Sequence, residues 1–353
     1  MNANPETRRA KLEKAIVAEI AARGPISFAR FMELALYHPQ WGYYTAPDAP
    51  ARIGRRGDYF TNVSVGKVFG ELLARQFATM WELMGKPAAF TLLELGAHSG
   101  RFAADVTAWI QRERPDFHAA LRYVPRDYPG EVPDAVAGCI FSNEFFDSLP
   151  VHRITREQGE WREVFVTVEA DRLAYGTGRL SSDALRSEIA RLPLPEVDGY
   201  TTEVHCEARS WMRRLARALA RGFVLTIDYG YVADDYYAPH RKDGTLLCYH
   251  QHRLSNEPLA NIGEQDITAH VNFTTLVEEG AANGLKPLGL TDQARFTVGL
   301  LDHLGAAALA GMEPRSAAQL KTLLHPELMG GTFKVLAQQR GMDGVRLGWL
   351  RWP

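Results

Sequence analysis

Residues 90–100 read FTLLELGAHSG, and this stretch decides the fold prediction. An apolar run at 90–95 enters a glycine, and helical spacing follows from Arg101 to about Arg114, which predicts a strand, a loop and a helix. In such a unit the glycines let the backbone approach a ligand, and the helix N-terminus faces it. The loop therefore predicts a site for a nucleotide or a nucleoside carboxylate. The alternative interpretation is a tight turn without a ligand.

Further apolar runs end in the same way, at polar residues or glycine. They are AGCIFSN at 137–143 and FVLTIDYG at 223–230, with a helical pattern at 206–220 before the second and a short strand at 120–124 before the first. This order indicates a parallel sheet that helices cover on both faces, and hence the α/β class. Helices are also predicted at 6–22, from Ser27 to Ala35 and at 64–84, and strands at 151–173.

Composition limits the function classes. The 353 residues are 46% apolar and 23% charged, which is typical of a globular protein and excludes a disordered chain. A net charge of −2 provides no general attraction for nucleic acid, so no nucleic-acid partner is expected. No segment has the length and apolarity of a membrane helix or a signal peptide, which predicts a cytoplasmic chain without membrane insertion.

Cysteines and histidines do not indicate a metal site. Three cysteines are too few for a disulfide framework, and their spacing matches no zinc motif. The histidines at 240, 250 and 252 lack an acid or cysteine at zinc-ligand spacing. No metal is therefore expected.

A second polar group follows the run at 137–143, in the sequence SNEFFDSLP at 142–150. Asn143, Glu144 and Asp147 would offer carbonyl and carboxylate oxygens to a cationic or amide substrate at the carboxyl end of a strand. The two phenylalanines between them would exclude water. The alternative is a capped strand–helix corner with core phenylalanines. Asp228 and Asp266 lie in similar but weaker patterns, and His270 is interpreted as an acid–base group or, with more weight, as a structural histidine.

Six segments together resemble the MidA-like methyltransferases, relatives of a mitochondrial complex I assembly factor that methylates protein arginine. In chain order they are ISFARFMELALYHPQWGYYT (26–45), GRRGDYFTNVSVGKVFGELLARQF (54–77), LLELGAHSGRF (92–102), SNEFFDSLPV (142–151), LTIDYGY (225–231) and GEQDITAHVNFTTL (263–276). The resemblance implies a class I methyltransferase fold with a Rossmann-like sheet of about seven strands, and S-adenosyl-L-methionine as cofactor. It also implies methylation of arginine in a protein substrate, linked to assembly of a respiratory or other complex.

The resemblance also implies a division of the chain. Residues 1–86 are expected to form a helical N-terminal region with a loop that covers the active site. Residues 87–353 are expected to form the Rossmann-like domain, with a substrate-side insertion around 151–205 and 231–275.

Site residues carry over one by one. The predicted cofactor-binding set is Glu94, Gly96, Gly100 and Asn143, which match the family motifs, together with His98 and Asp127, which do not. The catalytic set is Glu144 and Asp147, which would hold a guanidinium, with Asp58 and Asp266 in support. Gly57 and Thr61 match the covering loop that contains Asp58, and Asp228 matches a further family motif.

Two positions depart from the family pattern. His98 stands where the family has the middle glycine of its loop, and a histidine there adds a side chain and requires a positive φ. The stretch between Gly100 and Asn143 is shorter than in the family, and Asp127 is the nearest acid for the ribose hydroxyls. These departures leave a second hypothesis, a family member that binds or assembles other proteins without catalysis. A small-molecule methyltransferase is the third hypothesis, whereas the segment at 143–147 argues against a nicotinamide enzyme.

Overall fold

The apolar run FTLLEL forms a buried strand at Phe90–Leu95, as the sequence predicts. The computed structural model describes residues 5–47, 62–302, 313–325 and 329–351. In it this strand lies between two parallel neighbours, and helices connect several of the strands. The α/β prediction is confirmed.

Helices occur along the whole described chain. They are α1 (Pro5–Arg23), α2 (Phe28–Tyr37), α3 (Asn62–Val65), α4 (Lys67–Leu83), α5 (Arg101–Glu113), α6 (Pro115–Ala120), α7 (Asp183–Ile189), α8 (Cys206–Ala218), α9 (Ala233–Tyr236), α10 (Phe273–Ala282), α11 (Gln293–Asp302) and α12 (Pro314–Leu324), with a 3₁₀ turn at Gly348–Arg351.

The strands lie singly between helices or in runs of several. They are β1 (Ile26–Ser27), β2 (Phe90–Leu95), β3 (Leu121–Arg126), β4 (Val136–Asn143), β5 (His152–Glu157), β6 (Glu160–Glu169), β7 (Arg172–Gly178), β8 (Thr201–Val204), β9 (Leu219–Tyr231), β10 (Leu247–His250), β11 (Arg253–Ser255), β12 (Asp266–Thr268), β13 (Val271–Asn272), β14 (Lys286–Asp292) and β15 (Phe333–Arg340).

Contacts divide the chain into two compact units. We call residues 61–146, 211–230 and 276–353 the sheet unit, and residues 1–60, 147–210 and 231–275 the insertion unit. The two units group the residues differently from the predicted division at residue 86, and they place α4 in the sheet unit. The division at residue 86 stays a prediction.

The sheet unit contains strands in the order β3–β2–β4–β9–β15–β14. β3, β2, β4 and β9 are parallel, so their carboxyl ends meet at one edge. β15 is antiparallel to both of its neighbours, β9 and β14. The prediction of a parallel sheet therefore holds for four strands only, because two strands from the C-terminal part of the chain complete it in mixed orientation.

The insertion unit is built on smaller antiparallel sheets. In one sheet β5 lies between β8 and β6, and β1 and β7 also pair with β6. In the other sheet β10 lies between β11 and β12. α1 and α2 pack their apolar faces into the core of this unit. α2 begins where Ser27 predicts, since the Ser27 hydroxyl accepts the backbone N–H of Arg30 at 3.2 Å.

The helix predicted at 64–84 is divided at Gly66. Its φ of 142° is incompatible with helical backbone, so the chain forms the short α3 and then α4. No helix among the described residues is long and apolar enough to cross a membrane.

Candidate active site

The loop between β2 and α5 takes left-handed backbone at three positions. Gly96, His98 and Gly100 have φ of 74°, 42° and 70°. The positive φ expected at His98 is confirmed, and it is unfavourable for a residue with a side chain. The imidazole lies back towards the glycine, because its Nε2 is 3.9 Å from where a Cβ of Gly96 would lie.

Asp127 lies beside this loop. It follows β3, which pairs with β2 in parallel, and its Oδ1 accepts the backbone N–H of His98 at 3.0 Å. The strand predicted at 120–124 is thus confirmed as β3, and the acid at its end meets the glycine loop. The side chain is exposed, so its carboxylate is accessible to hydroxyl donors.

Glu94 is a buried carboxyl group at the end of β2. It is 5% exposed, and its Oε2 accepts the hydroxyl of Tyr123 at 2.8 Å. Burial raises the pKa of Glu94 to about 7, although the Tyr123 hydrogen bond opposes the shift. Sequence reasoning missed Tyr123. Its position as a polar aromatic residue in the strand predicted at 120–124 could have suggested it.

Glu144 is held in a left-handed conformation just beyond β4. Its φ is 53°, and its backbone N–H donates to the carbonyl of Ile227 at 3.0 Å. Its Oε1 accepts the backbone N–H of Asn62 at 3.0 Å and the side-chain amide of Asn143 at 2.8 Å. Such unfavourable backbone persists only where the surroundings enforce it, and it is concentrated at functional sites.

Asp228 supports the same turn from β9. Its Oδ2 accepts the backbone N–H groups of Phe145 and Phe146 at 3.2 and 2.9 Å, and its Oδ1 accepts that of Tyr229 at 2.9 Å. Burial raises the pKa of Asp228, and the nearby Glu144 carboxylate acts in the same direction. The geometry therefore assigns Asp228 to holding the turn after β4.

The other candidate acids fall elsewhere. Asp266, in the insertion unit, accepts the Tyr44 hydroxyl at 2.7 Å, and the carbonyl of Asp147 accepts the backbone N–H of Ala269 at 2.9 Å. Asp58 lies outside the described residues, as do Gly57 and Thr61. His270 stacks on Tyr231 with ring centroids 5.3 Å apart.

One edge of the sheet unit thus contains all six predicted cofactor residues, together with the predicted catalytic Glu144. The carboxyl ends of β2, β3 and β4 bring together seven of the candidates: Glu94, Gly96, His98, Gly100, Asp127, Asn143 and Glu144. Asp147 and Asp266 belong to the insertion unit. Sequence reasoning did not select Asn62 and Gln293, which also belong to this edge. Asn62 donates hydrogen bonds to Asn143 and Glu144, and Gln293 donates to Asn62.

These residues fit a nucleoside that carries an amino acid. Gly100 caps α5 without a side-chain hydrogen bond, so the first-turn N–H groups and the helix dipole favour a ligand carboxylate. Asp127 and Glu94 supply acceptors for hydroxyl and ammonium groups. Among the residues that the structure describes, no three His, Cys, Asp or Glu side chains are grouped as metal ligands.

Comparison with known proteins decides the family. A family model described as "Putative S-adenosyl-L-methionine-dependent methyltransferase" matches residues 72–127 and 125–291. This chain belongs to that family. Its cofactor is therefore S-adenosyl-L-methionine, in agreement with the hydrogen-bond donors and acceptors at the carboxyl edge of the sheet.

Similar proteins align with nearly the whole of this chain. A protein from Burkholderia thailandensis crystallised with S-adenosyl-homocysteine is 30% identical, with a TM-score of 0.84 over 99% of this chain and 96% of that one. The Drosophila melanogaster protein arginine methyltransferase NDUFAF7 homolog, mitochondrial, is 27% identical over 97% of this chain and 88% of its own length. The human protein arginine methyltransferase NDUFAF7, mitochondrial, is 26% identical over 91% and 82%. The predicted class I methyltransferase fold is confirmed.

One prediction needs correction. The cytoplasmic location expected from the N-terminal sequence is wrong, since the named relatives are mitochondrial proteins. The prediction relied on finding no segment with the pattern of a membrane helix or a signal peptide, and that pattern does not distinguish the cytoplasm from the mitochondrion.

Proposed function

We propose that this chain transfers a methyl group from S-adenosyl-L-methionine to an arginine side chain of a protein. The observation that carries the proposal is the fixed Glu144 carboxylate beyond β4, next to the strand that bears the cofactor loop. The names of the relatives, which are protein arginine methyltransferases, support the same acceptor.

A carboxylate at this position suits a guanidinium acceptor. Arginine presents planar N–H donors that match a carboxylate in a charge-assisted, often bidentate pair. Two donors already hold Glu144 Oε1, so the carboxylate plane is set before the acceptor binds. Such preorganisation aligns the attacking nitrogen, and alignment is what an in-line displacement requires most.

The bound cofactor supplies an electrophilic methyl group on a sulfonium. A nitrogen–carbon bond forms as the sulfur–carbon bond breaks, S-adenosyl-homocysteine leaves, and the guanidinium loses one proton during or after transfer. Glu144 would neutralise the charge of the acceptor throughout. Asp147 and Asp266 remain candidates for further contacts to the protein substrate, as does Asp58 in the covering loop.

Methylarginine formation tests this proposal. The purified chain is incubated with isotope-labelled S-adenosyl-L-methionine and a protein extract, and methylarginine is measured by mass spectrometry after acid hydrolysis. We expect methylarginine with the wild-type chain and a loss of about 10- to 100-fold in Glu144→Gln, which removes a charge-assisted hydrogen bond. Glu131→Gln, an exposed substitution in the same unit, is the matched control.

A family member without catalysis is the second candidate, and His98 is the observation that favours it. Its side chain folds back towards Gly96 at the loop where backbone must approach the cofactor. Calorimetric titration with S-adenosyl-homocysteine, combined with the methylation assay, separates the two candidates. Binding of S-adenosyl-homocysteine without methylation of any side chain supports a binding role. Methylation of a side chain other than arginine contradicts the arginine proposal alone.

A further inference from the structure

A continuous series of side-chain amides runs from the start of α11 to the turn after β4. Gln293 Nε2 donates to Asn62 Oδ1 at 2.9 Å, and Asn62 Nδ2 donates to Asn143 Oδ1 at 2.9 Å. Asn143 Nδ2 donates in turn to Glu144 Oε1 at 2.8 Å. Asn62 and Asn143 thereby connect Gln293 to the Glu144 carboxylate, with which Gln293 shares no hydrogen bond in this series. We call Gln293, Asn62 and Asn143 the amide relay.

The end of the amide relay determines its direction. An ionised carboxylate only accepts hydrogen bonds, so Asn143 must present its NH₂ group to Glu144. The Asn143 oxygen then faces Asn62, which must donate, and the Asn62 oxygen must receive a donor from Gln293. Each amide orientation follows from the next one, which is how side-chain amides are assigned.

Burial makes the orientation matter. Asn62 is 0% exposed and Gln293 is 1% exposed, so water does not replace a lost partner. Gln293 Oε1 has no hydrogen-bond partner among the described residues. Gln293 therefore contributes to this edge of the sheet through its donor group.

We propose that Gln293 is a positioning residue that holds the Glu144 carboxylate ionised and oriented through the amide relay. The inference rests on the proposed role of Glu144 in binding the guanidinium. Without the Gln293 donor, the buried Asn62 oxygen loses its partner, so the orientation that presents Asn62 Nδ2 to Asn143 is less favoured and Asn143 donates to Glu144 in a smaller share of molecules. Glu144 then loses a hydrogen bond that favours its charged form, so it takes up a proton at higher pH.

Asp228 is the charged neighbour that must be followed at the same time. It is buried on β9, it holds the turn through Phe145 and Phe146, and its carboxyl interacts electrostatically with Glu144. The backbone N–H of Asn62 also donates to Glu144 Oε1, and this hydrogen bond does not involve the Gln293 side chain. The expected effect is therefore a shift in the titration of Glu144 and not its abolition.

Carboxyl carbon-13 NMR of the full chain tests the proposal directly. The Glu144 signal is assigned by its absence in Glu144→Gln, and its titration is compared between wild type and Gln293→Met, a neutral substitution of similar length. We expect the midpoint to rise by about one pH unit in Gln293→Met. Binding of S-adenosyl-homocysteine serves as a check that the cofactor loop is intact.

Gln338→Met is the matched control. Gln338 is also buried in the sheet unit, its Nε2 donates to the carbonyl of Leu276 at 3.4 Å, and its Oε1 likewise has no partner among the described residues. Within the part of the chain that the structure describes, no hydrogen bond joins Gln338 to the amide relay. An equal shift of Glu144 in both variants would overturn the proposal, because a general loss of packing would then explain it.

A second measurement needs no variant, in case Gln293→Met does not fold. The side-chain amide signals of Asn143, Asn62 and Gln293 are followed in the wild-type chain while Glu144 titrates. All three should shift with the Glu144 midpoint, and a Gln293 signal that does not follow it would refute the relay. These readouts do not require an acceptor protein, so a chain that titrates as expected but forms no methylarginine refutes the proposed function alone.

Discussion

At the scale of single residues, the candidate site combines unfavourable backbone with a buried acid. His98 and Glu144 both adopt left-handed conformations, and Glu94 retains a carboxyl group at 5% exposure. Each of these features lowers stability by itself. Their occurrence together at one edge of the sheet supports a functional site rather than a purely structural turn.

His98→Gly should tighten binding of S-adenosyl-homocysteine. Glycine removes both the unfavourable φ and the imidazole near Gly96, and we expect a gain of about fivefold, on the order of 1 kcal/mol, by calorimetry. His252→Gly is the control, because His252 also has a positive φ, 59°, at a turn in the insertion unit. Unchanged or weaker binding in His98→Gly would mean that the loop has adapted around histidine.

Glu94 should make stability depend on pH. Its pKa in the folded chain, about 7, lies above its ordinary value of 4.5, so the folded state binds more protons between these values. The free energy of unfolding should therefore fall as pH rises from about 4.5 to about 7, by ~3 kcal/mol. Glu94→Gln should remove most of this decline in urea unfolding at about pH 5 and about pH 8. A decline of equal size in Glu94→Gln would assign it to other groups.

At the scale of secondary-structure elements, glycines allow three strands of the sheet to pack closely near their amino ends, away from the site edge. Gly138 on β4 lies opposite Gly222 on β9, and both have positive φ, 147° and 126°. A Cβ on Gly138 would overlap the backbone of Thr91 on β2, and one on Gly222 would overlap the carbonyl oxygen of Gly138. Three strands thus approach each other where only glycine fits.

Gly138→Ala should destabilise the chain severely. The methyl group meets backbone atoms that cannot rotate away, and we expect a loss of ~3 kcal/mol or more in urea unfolding. Gly176→Ala in β7 is the control, since its Cβ would make an ordinary contact with Thr167 at 3.8 Å. Similar losses in both variants would show that the close approach at Gly138 is not the cause.

At the scale of the whole molecule, the family relationship and the fold agree with the local patterns in the sequence. The strand–loop–helix unit at 90–113, the strand at 136–143 and the N-terminal helices form where their hydrophobic spacing and turn residues predict. These features depend on neighbours within a few residues, which is why sequence reasoning reaches them.

The positive φ of His98 was predictable from the glycine it replaces, and Asp127 from its place after β3. Other features depend on residues far apart in the chain. The antiparallel β15 and the break at Gly66 were not predicted, because strand partners and helix divisions follow from tertiary packing.

The sequence alone determined the α/β class, the glycine loop, and the acids and amides at the strand ends, since each is a local pattern of hydrophobic period and turn chemistry. Only the tertiary structure decided that Gln293 and Asn62, 231 positions apart, share a hydrogen bond next to Glu144. Such a contact has no local signature, because an isolated buried glutamine looks like any other polar residue until its partner is known. The physical reason is that burial turns the pairing of polar groups into a requirement, and the fold chooses the partners.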